Sequence, residues 1–266
     1  MFGALKVEPG TAARIAERDP RDTLGLEKES AKERLGALHD TLGGFHTRLF
    51  AEGKRSLILV LQGLDASGKD GVIRSVFTGF NPQGCHVVSF RAPSSSELAH
   101  DYLWRVREVL PARGEIGIFN RSHYEDVVAV RMLELAPEEV WKRRPDHIRE
   151  FERQLVDEGT TIVKVFLNVS KDEQRVRLQE RVDDPEKRWK FKLADLKVRE
   201  QFDDYVAAWE DALTATSTEW APWHVVPADR NWVKAVTVAE LLAAALEQMD
   251  PQLPDAEPGV EGLQIT

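Results

Sequence analysis

The sequence predicts an α/β fold with a five-stranded parallel sheet and helices on both faces. Apolar runs typical of buried strands alternate along the chain with longer segments typical of helices. A glycine-rich stretch, LQGLDASGKDG, ends the first apolar run and leads into a helix. Strands joined by helical crossovers run parallel, so their carboxyl ends meet at one edge, where such sheets bind ligands.

The predicted elements follow in regular order. The first is an amphipathic helix over 28–51, in which apolar residues recur at three- and four-residue steps. The five predicted strands are 56–63, 85–90, 115–120, 161–169 and 224–228, and further helices are predicted at 69–80, 96–110 and 137–158. Polar turns follow the first three strands, so we expect those three turns to meet at one edge of the sheet.

Composition divides the chain into three parts. Residues 1–26 are polar and interrupted by Pro and Gly, and are interpreted as an extended N-terminal arm. Residues 27–250 form a single domain, and the acidic, Pro- and Gly-rich residues 251–266 form a flexible tail. Within the domain, the charged segment at about 171–205 is predicted to be a lid over the site.

Charge and cysteine content exclude some classes of protein. The 266 residues carry a formal net charge of −9, which argues against a bulk nucleic-acid or membrane-surface binder. A single cysteine, Cys85, permits no intrachain disulfide and fits a reducing compartment. The first twenty residues have no apolar core suited to a signal peptide or a membrane span, so we expect a cytoplasmic protein.

The glycine-rich stretch is nearly a phosphate-binding loop. Gly63, Gly68 and Lys69 fit the pattern G-x-x-x-x-G-K-[ST], but Asp70 stands where the hydroxyl belongs. Backbone N–H groups of such a loop surround a phosphate, and the helix start adds positive potential. The phosphate contacts predicted here are Gly63, Ala66, Ser67, Gly68, Lys69, Asp70, Gly71 and Arg74.

Acidic residues near the loop are candidate metal ligands. With the hydroxyl missing, Asp65 is the available hard oxygen ligand for Mg²⁺, or alternatively Mn²⁺. Asp70 either shares this role or only begins the helix. The third strand ends in the neutral Asn120, so the second metal-linked acid is sought in Asp126 or Glu125, and we rank Asp126 first.

The turn after the third strand supplies further candidates. Arg121 follows the strand directly and suits phosphate clamping, the alternative being a surface ion pair. His123 is a better candidate for hydrogen bonding or packing than for a catalytic base. The predicted catalytic residues are Asp65, Lys69, Arg121 and Asp126, and the predicted nucleotide contacts are Arg91, Ala92, Pro93, Asn120, His123 and Glu125.

The predicted lid contains a dense basic cluster. The sequence KRWKFK (187–192) interleaves cations with Trp189 and Phe191. One interpretation is a solvated charged helix. The other is a lid whose cations close over transferring phosphates and exclude the water that would hydrolyse them.

Taken together, these blocks resemble polyphosphate kinase family 2 from roughly Glu27 to Leu246. The resemblance rests on LHDTLGGFHTRLFAEGKRSLILVLQGLDASGKDG, FRAPSSSELAHDYLWRV, GIFNRSHYEDV, KRWKF and TEWAPWHVVPAD. It implies a P-loop kinase fold of the thymidylate kinase type with a helical lid. It also implies reversible, Mg²⁺-dependent phosphoryl transfer between inorganic polyphosphate and AMP, ADP, ATP and related nucleotides.

The resemblance extends to individual residues and to class. It implies that Asp65 is a metal-linked acid, that Lys69 binds phosphate and that Arg121 holds the reacting phosphates. The lid residues that it implies as polyphosphate or nucleotide contacts are Arg181, Lys187 and Arg188. NRSHYEDV looks like the third class of the family, whose members accept nucleoside mono- and diphosphates. Members are commonly homo-oligomers.

Two other functions share some of these features. An ATP-dependent nucleoside monophosphate kinase of the thymidylate kinase type would have the same loop and lid. A nucleotide-dependent switch protein would need an Asn-Lys-x-Asp base reader after a late strand, and NVSKD at 168–172 lacks that spacing. Base preference, physiological direction and preferred chain length of polyphosphate stay open.

Overall fold

Five parallel strands form the central sheet of the protein in the order β2-β3-β1-β4-β5. The computed structural model describes residues 2–265. The strands are β1 (Ser56–Gly63), β2 (Cys85–Ser89), β3 (Ile116–Asn120), β4 (Thr160–Asn168) and β5 (Trp223–Pro227). The predicted five-stranded parallel sheet is confirmed. Every residue of β1 is buried, as expected of a central strand covered on both faces.

Helices connect the strands and cover the sheet. The longer ones are α1 (Lys28–Glu52), α2 (Lys69–Val76), α5 (Glu125–Met132), α7 (Arg144–Asp157), α8 (Lys171–Asp183), α9 (Ala194–Glu200), α10 (Phe202–Thr216) and α11 (Asn231–Met249). Three helices of four residues each are α3 (Ser95–Leu98), α4 (Trp104–Arg107) and α6 (Glu138–Trp141). Helices α1, α2 and α11 pack together as one layer, and α5, α7 and α10 as another.

Two predicted helices are interrupted, and each break has a local cause. The predicted helix over 96–110 divides into α3 and α4, because the Asp101 carboxylate accepts a hydrogen bond from the Leu103 N–H at 3.0 Å and forms a turn. The predicted helix over 137–158 divides into α6 and α7, because Pro145 lacks an N–H and fits only the first turn of a helix.

The N-terminal arm packs along the outer edge of β5. The Val7 N–H donates to the Trp223 carbonyl, and the Val225 N–H donates to the Leu5 carbonyl, both at 2.8 Å. Leu5, Val7 and Ile15 are buried in the main core. The arm therefore covers a sheet edge that would otherwise expose unpaired backbone groups. Residues 251–265 form no helix or strand. Within residues 2–265, no helix is both long enough and apolar enough to cross a membrane.

Candidate active site

The phosphate loop joins β1 to α2 in a shape that requires glycine at two positions. Gly63 has φ +148°, and a Cβ there would lie 2.7 Å from the Leu167 carbonyl oxygen. Gly68 has φ +98°, and a Cβ there would lie 2.1 Å from the Lys234 ammonium. Any larger residue at either position would strain the loop or displace its neighbours. Backbone conformation and close neighbours therefore explain why both glycines of the sequence motif are needed.

Lys69 lies inside the loop. Its ammonium is buried and donates to the carbonyl oxygens of Gly63 at 2.7 Å and Leu64 at 3.3 Å. Burial, and then the charge of Arg121, lower the pKa of Lys69 to about 8 against the opposing pull of nearby acids. The environment of the loop therefore makes the Lys69 ammonium easier to deprotonate than a lysine in water.

Arg121 joins two acids across the site. Its guanidinium pairs with the Asp65 carboxylate and lies 3.4 Å from a carboxylate oxygen of Glu125. Burial opposes ionisation of Asp65, but Arg121, Lys69 and Arg181 outweigh it and lower the pKa of that carboxyl. Asp65 is therefore anionic, with cations from the β3 turn, the loop and α8 around it.

Arg121 has an uncommon backbone conformation. Its φ is +63°, the left-handed region that non-glycine residues seldom adopt. Its N–H donates to the Leu61 carbonyl of β1 at 3.1 Å, which fixes the turn against the neighbouring strand. This bend directs the Arg121 side chain towards the phosphate loop, where the ion pair with Asp65 holds it.

Asp126 lies in a different environment from Asp65. Its carboxylate is 3.0 Å from the Arg105 guanidinium and 3.6 Å from that of Arg144, and it is largely buried. The Asp126 side chain is only 12% exposed, and both of its partners are arginines that face away from the loop's acids, whereas the side chains of Asp65 and Glu125 are 23% and 19% exposed. The geometry therefore speaks against our prediction of Asp126 as the second metal-linked acid and favours Glu125, which shares Arg121 with Asp65.

His123 points into the protein interior. Its side chain is only 3% exposed, and its Nε2 lies 3.4 Å from the Glu152 carboxylate. Glu152 also accepts hydrogen bonds from the Tyr124 hydroxyl at 2.7 Å and from the buried Lys164 ammonium at 2.6 Å. The geometry gives no support to the predicted nucleotide contact of His123. It fits the packing role that we considered, because this buried network holds the turn that carries Arg121.

The turn after β2 lies beside the end of β3. The Phe90 N–H donates to the Asn120 carbonyl at 3.0 Å, and the Arg105 guanidinium donates to the Arg91 carbonyl at 2.9 Å. Ala92 is exposed and Pro93 half-buried. The three turns that follow β1, β2 and β3 therefore meet at one edge of the sheet.

Of the three predicted lid cations, Arg181 is the one whose charge acts on the loop. Arg181, on α8, lies close enough to Asp65 to lower the pKa of its carboxyl. Lys187 is exposed and pairs with Asp184 at 2.9 Å. Arg188 is exposed and donates to the Val182 carbonyl at 2.8 Å. Trp189, which follows Arg188, is 77% exposed.

Three residues that sequence reasoning did not assign to the site contact the loop from behind. Gln174 and Arg177 project from α8, and Lys234 projects from α11; all three donate to loop carbonyls. Arg177 lies within the charged segment 171–205 that the sequence predicts to be a lid. The signal for Lys234 was a lone basic residue in the apolar helix NWVKAVTVAELL.

The oxygen ligands at the loop suit a divalent cation. Asp65 and Glu125 are partly exposed carboxylates that share Arg121, and Asp70 is exposed at the start of α2. Across the described chain, no group of three or more His, Cys, Asp or Glu side chains converges on a metal position. Mg²⁺ is typically bound by one or two carboxylates together with substrate phosphates, so the residues fit this kind of ion.

Comparison with known proteins identifies relatives along nearly the whole chain. The family described as Polyphosphate kinase 2 (PPK2) matches residues 25–254. An AMP/ADP-polyphosphate phosphotransferase of Meiothermus ruber is 50% identical over 262 residues, covering 98% of each chain. An ADP-polyphosphate phosphotransferase of Rhodopseudomonas palustris is 44% identical, covering 87% of this chain and 84% of the relative.

A solved structure gives the same result. The crystal structure of Polyphosphate Kinase 2 from Arthrobacter aurescens superposes with a TM-score of 0.93 at 42% sequence identity. The match covers 97% of this chain and 93% of that one. The P-loop kinase fold is therefore confirmed.

Proposed function

The chain belongs to the polyphosphate kinase 2 family, and from this premise we propose that it transfers phosphoryl groups from inorganic polyphosphate to AMP and to ADP. The products are ADP and ATP, and the reaction is reversible. The observation that carries the proposal is the convergence of Lys69, Arg121 and Arg181 around Asp65 at the phosphate loop. The relatives' names support both acceptors, and they do not favour an ATP-dependent kinase.

The transfer needs no strong base. A terminal phosphate oxygen of AMP or ADP attacks the terminal phosphorus of polyphosphate, and the bond to the bridging oxygen breaks. Polyphosphate becomes shorter by one phosphate and the nucleotide gains one. The attacking phosphate oxygen is already anionic, so catalysis consists of alignment and charge stabilisation.

Each residue at the loop has a distinct part. The N–H groups of the loop and of the first turn of α2 bind phosphate oxygens. Lys69 and Arg121 carry positive charge to the phosphoryl group in transfer, and Arg181 adds a cation from α8. Lys187 and Arg188 extend this positive surface along the lid, where they hold the rest of the polyphosphate chain.

Asp65 and Glu125 would hold Mg²⁺ together with the substrate phosphates, and Mn²⁺ has the same ligand preference. When bound, the ion neutralises charge on the phosphate oxygens. Arg121 orients both carboxylates, because its guanidinium contacts each of them.

We further propose that the enzyme works in the cytoplasm as a homo-oligomer, without nucleic acid as a partner. A single cysteine supports the compartment, and the net charge of −9 disfavours nucleic acid. Exposed apolar side chains such as Leu133 and Leu135 support contacts between subunits. Size measurement in solution tests the oligomer.

One assay tests the proposed reaction. The protein is incubated with Mg²⁺, long-chain polyphosphate and either AMP or ADP, with no other donor, and nucleotides are separated by chromatography. We expect ADP and ATP from AMP, and ATP from ADP. A Lys69→Met variant provides the inactive control. Phosphorylation of nucleoside monophosphates by ATP alone, with no product from polyphosphate, would replace this proposal with the ATP-dependent alternative.

A further inference from the structure

The phosphate loop is supported from behind by side chains of two helices. Gln174 and Arg177 reach it from α8 and Lys234 reaches it from α11. Their hydrogen bonds are Gln174 Nε2 to Asp65 O at 3.1 Å, Arg177 Nη1 to Ala66 O and Ser67 O at 3.0 Å each, and Lys234 Nζ to Ser67 O at 2.8 Å.

These contacts account for every carbonyl of the loop from Gly63 to Ser67. Lys69 supplies donors to the first two carbonyls, and the supporting side chains supply donors to the next three. Carbonyl oxygens directed at a phosphate would repel it. Hydrogen bonds from donors behind and within the loop keep these oxygens pointing away from the phosphate. The N–H groups at the start of α2 can therefore point towards the anion.

Lys234 is the unusual member of this layer. It is 1% exposed, and the oxygens it contacts are backbone carbonyls, those of Ser67 and Ala228. None of the carboxylates described in the structure forms an ion pair with it within 4.0 Å. Burying an ammonium without a carboxylate partner is costly.

The fold does not need Lys234 to satisfy these carbonyls. Arg177 already donates to Ser67 O at 3.0 Å and to Ala228 O at 2.8 Å. The ammonium lies directly against Gly68, since a Cβ at that residue would be 2.1 Å from it. Burying the Lys234 charge is costly, and the fold could do without it. Its position against the loop backbone therefore indicates a role in binding the phosphate on the opposite face of the loop.

We propose that Lys234, together with Arg177 and Gln174, is a positioning residue that holds the loop carbonyls back and places a positive charge behind bound polyphosphate. This inference rests on the proposed function, because it concerns the phosphates of the same substrate. Lys234 does not touch substrate and acts through the loop backbone. It is therefore expected to change phosphate affinity more than nucleotide affinity.

The electrostatics around Lys234 add a measurable consequence. The charged groups facing it are Arg177 and Glu173 from α8, Asp229 after β5 and Lys69 from α2. Burial, and then Arg177, lower the pKa of Lys234 to about 7. A polyphosphate anion in the loop stabilises the charged form, so binding above pH 7 draws a proton onto the lysine.

The decisive variant is Lys234→Met, which removes the charge and keeps a similar volume. Both carbonyls retain Arg177 as a donor, so we expect the protein to fold with an unchanged or higher Tm. Lys54→Met is the matched control, because it makes the same change at an exposed lysine before the opposite end of β1. Arg177→Lys is the second variant, since an ammonium cannot reproduce its forked contacts.

Binding of tripolyphosphate is measured by calorimetry at pH 7.5 in two buffers of different ionisation enthalpy, alongside steady-state kinetics. We expect Lys234→Met to weaken tripolyphosphate binding at least about tenfold and to reduce proton uptake. KM for polyphosphate rises and KM for AMP changes less than about twofold. Arg177→Lys should also weaken tripolyphosphate binding, and Lys54→Met should match wild type.

Two results would overturn the inference. One is an active Lys234→Met enzyme that binds tripolyphosphate as tightly as wild type. The other is a Lys234→Met enzyme whose KM for AMP rises as much as its KM for polyphosphate. Failure of the wild-type enzyme to use polyphosphate at all is a separate result, which would contradict the proposed function itself.

Discussion

The side-chain amide of Asn120 donates a hydrogen bond to the carboxylate of Asp70 at 2.8 Å. This bond joins the end of β3 to the first turn of α2, at the position where related phosphate loops have a hydroxyl. The Asp70 side chain forms no cap on the helix, and it is exposed. The Asp70 carboxylate therefore connects the phosphate loop with the turn after β3.

Asp70→Asn tests whether this carboxylate holds the metal. One carboxylate oxygen is engaged by Asn120, so we expect kcat/KM within about threefold of wild type and an unchanged Mg²⁺ requirement. The measurement is activity against Mg²⁺ concentration. Asp65→Asn is the control and should raise the Mg²⁺ concentration needed for half-maximal rate. A comparable rise in Asp70→Asn would assign Asp70 to the metal.

Glu125→Gln and Asp126→Asn separate the two candidates for the second acid. Glu125→Gln should weaken the response to Mg²⁺, because Glu125 shares Arg121 with Asp65. Asp126→Asn should instead lower the free energy of unfolding by about 3 kcal/mol, because it leaves Arg105 and Arg144 without their buried anion. Mg²⁺ titrations and denaturant unfolding of both variants decide the matter. The reverse pattern would restore Asp126 as the metal-linked acid.

Lys164→Met tests the buried network beneath the β3 turn. The change leaves the Glu152 carboxylate without the ammonium 2.6 Å away, so we expect a loss of about 3–5 kcal/mol in unfolding free energy. Denaturant unfolding measures this. The double variant Lys164→Met with Glu152→Gln should recover part of the loss, because the uncompensated charge is gone. No recovery would show that the pair acts through packing alone.

The pKa of Lys69 predicts an alkaline limit on activity. Below about pH 8 its ammonium carries the charge that we propose binds phosphate, and as the pH rises through about 8 this charge is lost. We therefore expect kcat/KM for polyphosphate to fall above that pH, since this parameter reports the free enzyme. In Lys69→Arg the side chain stays charged above pH 8, so the residual activity of this variant should not fall with rising pH in the same way. An equally steep fall in that variant would assign the titration to another group.

Arg188→Ala tests the proposed polyphosphate surface of the predicted lid. Arg188 is exposed, so its removal should leave Tm nearly unchanged while KM for polyphosphate rises several-fold, and the increase should shrink at high salt. Steady-state kinetics at two ionic strengths provide the measurement. Lys32→Ala, at an exposed lysine on α1, is the control and should behave as wild type. Identical KM values for both variants would remove Arg188 from the polyphosphate surface.

Local sequence determined the frame of the site. Alternating apolar and helical segments predicted the parallel sheet, and the spacing of Gly63, Gly68 and Lys69 predicted the loop, because glycine at positive φ and a lysine at the helix start are local requirements. The expectation that three turns meet at one edge followed from the parallel connections.

Only the tertiary structure decided which neighbouring side chains share an environment. Glu125 and Asp126 are adjacent on α5, and a helix turns about 100° per residue, so their side chains point in different directions. Glu125 contacts Arg121, which also pairs with Asp65. Asp126 faces Arg105 and Arg144. His123, in the turn before α5, points into the core, where its Nε2 lies 3.4 Å from the Glu152 carboxylate. Lys234 is distant in sequence from the loop that it supports, and only the packing of α11 behind Gly68 brings them together.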